Sequence, residues 1–254
     1  EAANIFFVWE VLRPLLQGRP AYVIPDAVIS DPRPLVDYLA EHKITRVLLT
    51  PSLLEQLLNA VGEELAGRLP NLRIIVLNGE VVTMALHDRA AELLPHARLI
   101  NDYSISECHD VCTTDLQELD RTYSRRYAPA GRPMSNVRVY VLDDALQPVP
   151  QGSVGEIYVA GPTLARGYLH EPDMTAERFL PDPIAPGGGR MFRTGDVGRM
   201  LPDGQFEITG RAHFMIKLRG YSIVPSAVEA ALLSHPEIGA AVVLPVDDPR
   251  SGQP

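Results

Sequence analysis

The chain has 254 residues, 46% of them hydrophobic and 22% charged, and its 23 Lys and Arg against 32 Asp and Glu give a formal net charge of −9. That length can bury a core as one large domain or two smaller ones. The acidic balance argues against a nonspecific nucleic-acid binder, which needs clustered Lys and Arg, and no apolar run approaches the roughly 18–20 residues of a membrane-spanning helix. Residues 8–17 (VWEVLRPLLQ) carry apolar side chains at helical spacing, with Gly18 placed to end the helix. The run 21–26 (AYVIPD) predicts a short buried strand, 34–42 a helix, and 46–50 (RVLLT) another strand. Thr50 is then an N-cap with Pro51 at the first helical position, and Leu53, Leu54, Leu57, Leu58 and Val61 make the apolar stripe of the helix that follows. Residues 73–77 (RIIVL) are rich in β-branched side chains and predict a strand. Thr83 caps a helix running to about Leu94, and 97–100 (ARLI) is the next strand. Strands and helices alternating at these distances imply βαβ units on a parallel sheet. Such sheets bind ligands beyond the carboxyl ends of their strands, which is where Asn78-Gly79-Glu80 and Asn101-Asp102-Tyr103 fall.

The pattern changes after about residue 130. Residues 137–143 (VRVYVLD), 155–161 (GEIYVAG), 190–196 (RMFRTGD) and 204–210 (GQFEITG) are strand-like, turns separate them and no long helix intervenes. They predict a small antiparallel sheet or barrel. From 214 onward α/β character returns, with a helix over 225–234 and a strand over 239–246. The expected fold is therefore α/β: a parallel-sheet βαβ part over 1–130, an antiparallel β part over 131–210, and from 211–254 the start of a small α+β part.

Three stretches carry candidate chemistry. Residues 101–110 (NDYSISECHD) predict a loop after a strand. There an amide and an aromatic face suit a heterocyclic base, the Ser106 hydroxyl suits a phosphate oxygen and the Glu107 carboxylate suits Mg²⁺; taken alone, the same loop reads equally as helix-capping polar residues. Residues 187–222 bring Arg193, Asp196, Arg211, Lys217 and Arg219 into a short span, which suits a phosphorylated ligand or a solvated hairpin of surface ion pairs. The triple glycine 187–189 follows no strand and starts no helix, so it is a loop and not a phosphate cradle. Cys108 and Cys112 and the seven histidines show neither a disulfide framework nor metal-ligand spacing, and a reducing, cytoplasmic setting is expected. Ser104 and Ser106 lack the G-x-S-x-G elbow of a serine hydrolase.

Taken in order, the motifs resemble those of the adenylate-forming superfamily, which includes nonribosomal peptide synthetase adenylation domains, acyl-CoA ligases and carboxylic acid reductases. The segments VWEVLRPLLQG, LTPSLLEQLL, LNGEVVT, NDYSISE, GEIYVAGPTLARGYLHEPDMTAERF, RTGD and GRAHFMIKLRGYSIVPSAVEAAL are each similar to a family motif, and together they cover nearly the whole chain. The resemblance implies two half-reactions: a carboxylate attacks the α-phosphate of ATP to give acyl-adenylate and pyrophosphate, and a thiol then displaces AMP. It places Asn78, Gly79, Glu80, Asn101, Asp102 and Tyr103 around the nucleotide, with Asn101, Asp102 and Tyr103 on adenine. Ser106 would meet the α-phosphate and Glu107 would ligate Mg²⁺. Asp196 would accept both ribose hydroxyls, and Arg211 would meet ribose or phosphate. His213 takes the hinge position, and Lys217 approaches the adenylate once the small C-terminal part rotates. The acyl pocket would comprise Ile5, Phe6, Trp9, Leu48, Val76, Asn78, Asp102, Asp110 and Val111.

The chain departs from the family pattern at several points. Ser104 replaces a usual Gly, and His213 replaces a usual hinge Asp. The family's early phosphate loop and its late Lys are not in the sequence, as expected of a section cut from a longer protein and not competent alone for full adenylation. Ile5 stands where amino-acid-activating members carry an Asp that pairs with the substrate ammonium, which suggests an acid without an α-amino group. Aromatic faces with carboxylates at one end also suit a remote cation; a plain aryl or aliphatic acid is the rival substrate. The wording of 214–232 looks more like carboxylic acid reductases and reductase-linked synthetases than like typical peptide synthetases. That implies a carrier-protein phosphopantetheine as acceptor and an NADPH-dependent reductase domain downstream. A free-standing acyl-CoA ligase, and a degenerate domain that only binds a nucleotide or partner, stand as alternatives.

Overall fold

The structure is a computed structural model that describes residues 5–119, 126–212, 216–218, 221–223, 225–233, 235, 238 and 241–244; the side chains of 5–9, 216–218, 221–223, 225–227 and 230 lie outside that description. Helix α1 (Ile5–Leu16) contains Pro14 and gives way to Gly18 at φ +65°. Residues 21–25 carry no strand, and the short helix α2 (Asp26–Ile29) follows, so the strand expected over 21–26 is absent. Pro25 removes a ladder donor from that run, and among the described residues no strand pairs with it. Helix α3 (Pro32–Glu41) starts with Asp31 accepting from Arg33 N. Strand β1 (Arg46–Leu49) leads into α4 (Pro51–Val61), where Thr50 accepts from Leu53 N and so meets one of the unpaired first-turn amides. A 3₁₀ turn and the short α5 (Leu65–Arg68) lead to β2 (Ile74–Leu77). Helix α6 (Met84–Leu93) is capped by Thr83, which accepts from Leu86 N.

Strands β3 (Arg98–Ile105) and β4 (His109–Asp115) form an antiparallel hairpin with a bulge between Tyr103 and Ser104. This corrects the expected loop over 101–110: polar side chains hide the strand, but the backbone pairs across the hairpin. With β5 (Arg132–Pro133) the first sheet runs β1-β2-β3-β4-β5, parallel over its first three strands and antiparallel over the rest. Register sets Val47, Ile75 and Leu99 side by side, and Leu48, Val76 and Ile100 likewise, on opposite faces. The first face closes a core with Leu35 and Leu39 of α3, Leu54, Leu57 and Leu58 of α4, and Leu86 and Ala90 of α6. Burying each such leucine contributes roughly 1.5–3 kcal/mol.

The second sheet is antiparallel, in the order β10-β9-β7-β6, with β8 (Phe179–Pro181) also paired to β9. Its strands are β6 (Arg138–Leu142), β7 (Gly155–Ala160), β9 (Arg190–Met200) and β10 (Phe206–Arg211). The only helix described between them is the short α7 (Pro172–Arg178). The core of this sheet holds Ile157, Val159, Phe179, Phe192 and Phe206 together with Cys108, Val111 and Cys112 of the β3–β4 hairpin. One hairpin thus belongs to the first sheet by hydrogen bonds and to the second by packing. A second join is made where Ala130 N and Phe206 N exchange bonds with the Phe206 and Gly131 carbonyls at 2.7 and 2.8 Å. Gly131 has φ +103°, and a Cβ there would meet Thr113 O at 2.2 Å, so the join requires glycine. Beyond β10, β11 (Ile216–Leu218) pairs antiparallel with β12 (Tyr221–Ile223), and α8 (Pro225–Leu233) follows. Of the strand expected over 239–246, residues 241–244 carry no strand and the others lie outside the described residues.

Candidate active site

A cavity of about 240 Å³ opens where the carboxyl ends of β2 and β3 meet the second sheet. Gly79, Glu80, Asn101, Asp102, Tyr103, Asp196 and Arg211 line it, together with Val82, Ala128, Ala130 and Ile208. Strand ends of a parallel sheet place polar turn residues at one edge, and the β3–β4 hairpin carries that edge across to β9 and β10.

Asp196 is the best-anchored charge in this wall. Its residue is 7% exposed. Oδ2 accepts from the Tyr103 hydroxyl at 2.6 Å, and Oδ1 lies 3.1 Å from Arg211 Nε. Asp196 N donates to Thr194 Oγ1 at 2.9 Å, and that hydroxyl donates to Ile157 O at 2.8 Å. Burial pushes the Asp196 carboxyl above the usual carboxylate range; Tyr103 and Arg211 pull against the rise and Glu156 adds to it. Burial, and then Asp196 itself, raise the Tyr103 phenol well above its ordinary value, so it stays a donor.

Asp102 is held differently. Asn78 Nδ2 donates to Asp102 Oδ2 and to Asp102 O, both at 2.7 Å, and to Ser104 Oγ at 3.0 Å. Ser104, which stands where the family usually has Gly, thus completes the tie between the ends of β2 and β3. Burial first, and then Asp110, push the Asp102 carboxyl up to about 6, while Asn78, Arg13 and Arg46 act the other way. Arg46 is itself paired with Glu10 of α1 at 2.6 Å. Leu48, Val76, Asn78 and Asp102 lie on one face of the first sheet by register. Val111 sits instead in the core shared with the second sheet, where it is fully buried. Asp110 Oδ1 is 3.3 Å from His109 Nδ1, a nitrogen that also accepts from Asp110 N at 2.6 Å.

Other expected residues serve the walls. Asn101 Nδ2 donates to Pro129 O at 2.8 Å, which fixes the 128–130 turn against the cavity. Glu80 accepts from Ser52 N at 3.0 Å and from the Ser52 hydroxyl, so it caps α4 while lining the cavity. Gly79 takes φ +89° at the end of β2, a conformation that admits glycine readily. Ser106 is exposed at the hairpin tip, and neither it nor Glu107 lines the cavity. Glu107 Oε1 accepts from the Tyr168 hydroxyl at 2.6 Å, and Glu107 O accepts from Ala165 N at 2.8 Å. The side chains of Ile5, Phe6 and Trp9 on α1 and of Lys217 on β11, and His213 entirely, lie outside the described residues.

Tyr168 and Thr194 escaped the sequence reading as site residues. Both stand inside recognised motifs, one closing LARGY and the other in RTGD, but their partners are distant in sequence: Tyr168 reaches Glu107 across 61 residues.

The AMP-binding enzyme family matches residues 2–169. The glycine betaine reductase ATRR of Emericella nidulans is 46% identical over 92% of this chain. A dimodular nonribosomal peptide synthase of Bacillus subtilis is 39% identical over 96% of it. The chain spans 18% and 10% of the length of those two relatives. Among solved structures, the four-domain nonribosomal peptide synthetase holo-AB3403, bound to AMP and glycine, has a TM-score of 0.76 at 32% identity, covering 93% of this chain and 17% of that one.

Proposed function

Since the chain belongs to the AMP-binding enzyme family and is of the nonribosomal-peptide-synthetase adenylation type, we propose that its protein activates a small carboxylic acid with ATP in the cavity between the two sheets. The observation that carries this is the buried Asp196 carboxylate, held at the cavity wall by Tyr103 and Arg211. The donor set suits adenosine: a carboxylate for two vicinal hydroxyls, apolar Val82, Ala128, Ala130 and Ile208 for a base, and the Arg211 cation for negative charge.

The substrate carboxylate attacks the α-phosphorus, forming the acyl–phosphate bond as the bond to pyrophosphate breaks. The protein's part is positioning and charge stabilisation. Asp196 holds the ribose, Asn101 and Asp102 border the base, and Arg211 offsets the phosphate charge; Ser106, outside the cavity lining at the hairpin tip, is assigned to the α-phosphate by the family motif alone. Lys217 and the hinge at His213 serve the thioester step, in which a thiol attacks the acyl carbonyl and AMP leaves. Glu107 keeps Oε2 for Mg²⁺ while Tyr168 holds Oε1. A Mg²⁺ ion held there would take its remaining oxygens from phosphate and water. The three parts, 1–130, 131–210 and 211–254, would act as acyl and base pocket, ribose clamp and mobile C-terminal part.

The acid belongs to the cationic, betaine-like class. Asp102 is buried and raised to about 6 with Asp110 nearby, an environment that a positive group relieves, and the 46% identical relative is a glycine betaine reductase. The same likeness supports a carrier-protein phosphopantetheine as the thiol and an NADPH-dependent reductase as the next domain. Pyrophosphate exchange by the intact natural protein tests the whole reading. Quaternary-ammonium carboxylates should drive exchange well above uncharged fatty acids, and Glu107→Gln should abolish it. Preference for fatty acids sinks the cationic substrate, and exchange unchanged in Glu107→Gln removes the metal role.

A further inference from the structure

The resemblance assigns Tyr103 to the adenine face, but the geometry assigns its hydroxyl a second task. Tyr103 and Asp196 are 93 residues apart in sequence and come together only because the β3–β4 hairpin packs on β9. An ionised carboxylate offers about four lone-pair positions. Tyr103 takes one on Oδ2, and Arg211 faces Oδ1. A vicinal diol needs two acceptor positions at one point, and two remain. Resting on the nucleotide reading above, we propose that Tyr103 is a positioning residue: its hydroxyl holds the Asp196 carboxylate ionised and oriented for the ribose diol, and thereby sets the preference for ribose over deoxyribose.

The electrostatics support that role. Asp196 is removed from water, which disfavours its charge. The charged and titratable groups that face it are Tyr103 on β3, Arg211 on β10 and Glu156 on β7, the last already paired with Arg193 at 2.9 Å. Arg211 has a largely exposed side chain, 57%, so solvent screens it. The phenol is the buried donor, and its own raised titration keeps the proton on the phenol side of the bond. Without it, burial is opposed by one screened cation, and the carboxyl takes up a proton at higher pH. A protonated Asp196 is a weaker acceptor for two hydroxyls.

The test uses the intact natural protein, with AMP and 2′-deoxy-AMP titrated by calorimetry and ATP and 2′-deoxy-ATP compared in pyrophosphate exchange. Wild type should prefer the ribonucleotide about tenfold or more, the worth of a hydrogen bond to a charged acceptor. Tyr103→Phe keeps the ring. It should weaken AMP about tenfold, leave 2′-deoxy-AMP nearly unchanged, and move the acid limb of AMP affinity to higher pH, with KM for ATP rising more than kcat falls. Binding of 2′-deoxy-AMP also reports that the variant is folded. If Tyr103→Phe does not fold, a ring-fluorinated tyrosine at 103 keeps the shape and strengthens the donor, and the acid limb should then move to lower pH. Wild-type discrimination and pH profile in Tyr103→Phe, alongside lost discrimination in Asp196→Asn, overturn the role of Tyr103 and leave the ribose clamp standing. Unchanged AMP affinity and discrimination in Asp196→Asn overturn the clamp, and this inference with it.

Discussion

Where α3, α4 and α6 begin, a first-turn backbone amide finds its side-chain partner within a few residues. Thr50 takes Leu53 N, Thr83 takes Leu86 N and Asp31 takes Arg33 N. In the second sheet, buried side chains reach across the fold. Thr194 donates to Ile157 O, and Glu156 takes Arg193 across the β7–β9 ladder. Asp182 accepts from Arg138 and Tyr140 of β6 as well as from the amides of Ile184 and Ala185. The contrast teaches where chemistry can sit. A carboxylate saturated by donors, such as Asp182, is structure; one left short of donors, such as Asp102, is available to a ligand.

The largest effect should come from the saturated carboxylate. Asp182→Ala strands two amides and a phenol at a site whose side chain is fully buried, and it should cost about 3 kcal/mol in urea denaturation. Despite burial, those donors hold the Asp182 carboxyl below the usual range. Its contribution is therefore present above the ordinary carboxylate value and lost as pH falls through and below it, so wild type and variant should converge in acid. A gap independent of pH breaks the comparison.

Asp102 has the opposite sign. Its carboxyl is raised to about 6, so ionising it costs stability as pH rises from about 4 through 6. Asp102→Asn should be more stable than wild type near pH 7.5, by on the order of 2 kcal/mol, below the ceiling of about 3 kcal/mol that the size of the shift sets. The advantage should shrink as pH falls through about 6 toward about 4 and vanish by about pH 3. The same variant should weaken binding of cationic acids, which separates the ligand role from the stability cost.

The smallest effect belongs to a local cap. Thr83→Ala removes one acceptor from the first turn of α6 and should cost about 1 kcal/mol at any pH between 5 and 8. A loss equal to that of Asp182→Ala would erase the difference between the two regions.

Legibility in the sequence follows the same division. Thr50 and Thr83 could be read as caps because their partners lie three residues on. The β-branched run at Ile74–Leu77 could be read as a strand for an equally local reason. The run 21–26 reads as a strand from its side chains, but a strand needs a paired neighbour, and Pro25 has no backbone donor to offer one. The hairpin at 98–115 was hidden by the opposite fault, since polar site residues mask alternation where the backbone pairs well.

The motifs by themselves determined the family, the βαβ order of β1 to β3 with α4 and α6, and part of the cavity wall, namely Gly79, Glu80, Asn101, Asp102, Tyr103, Asp196 and Arg211, because these follow from short-range pattern. Tertiary structure alone decided which carboxylates are held and by what. Tyr103 meets Asp196, and Tyr168 meets Glu107, only after one hairpin has joined two sheets. The strength of those contacts comes from burial, a property no single segment carries.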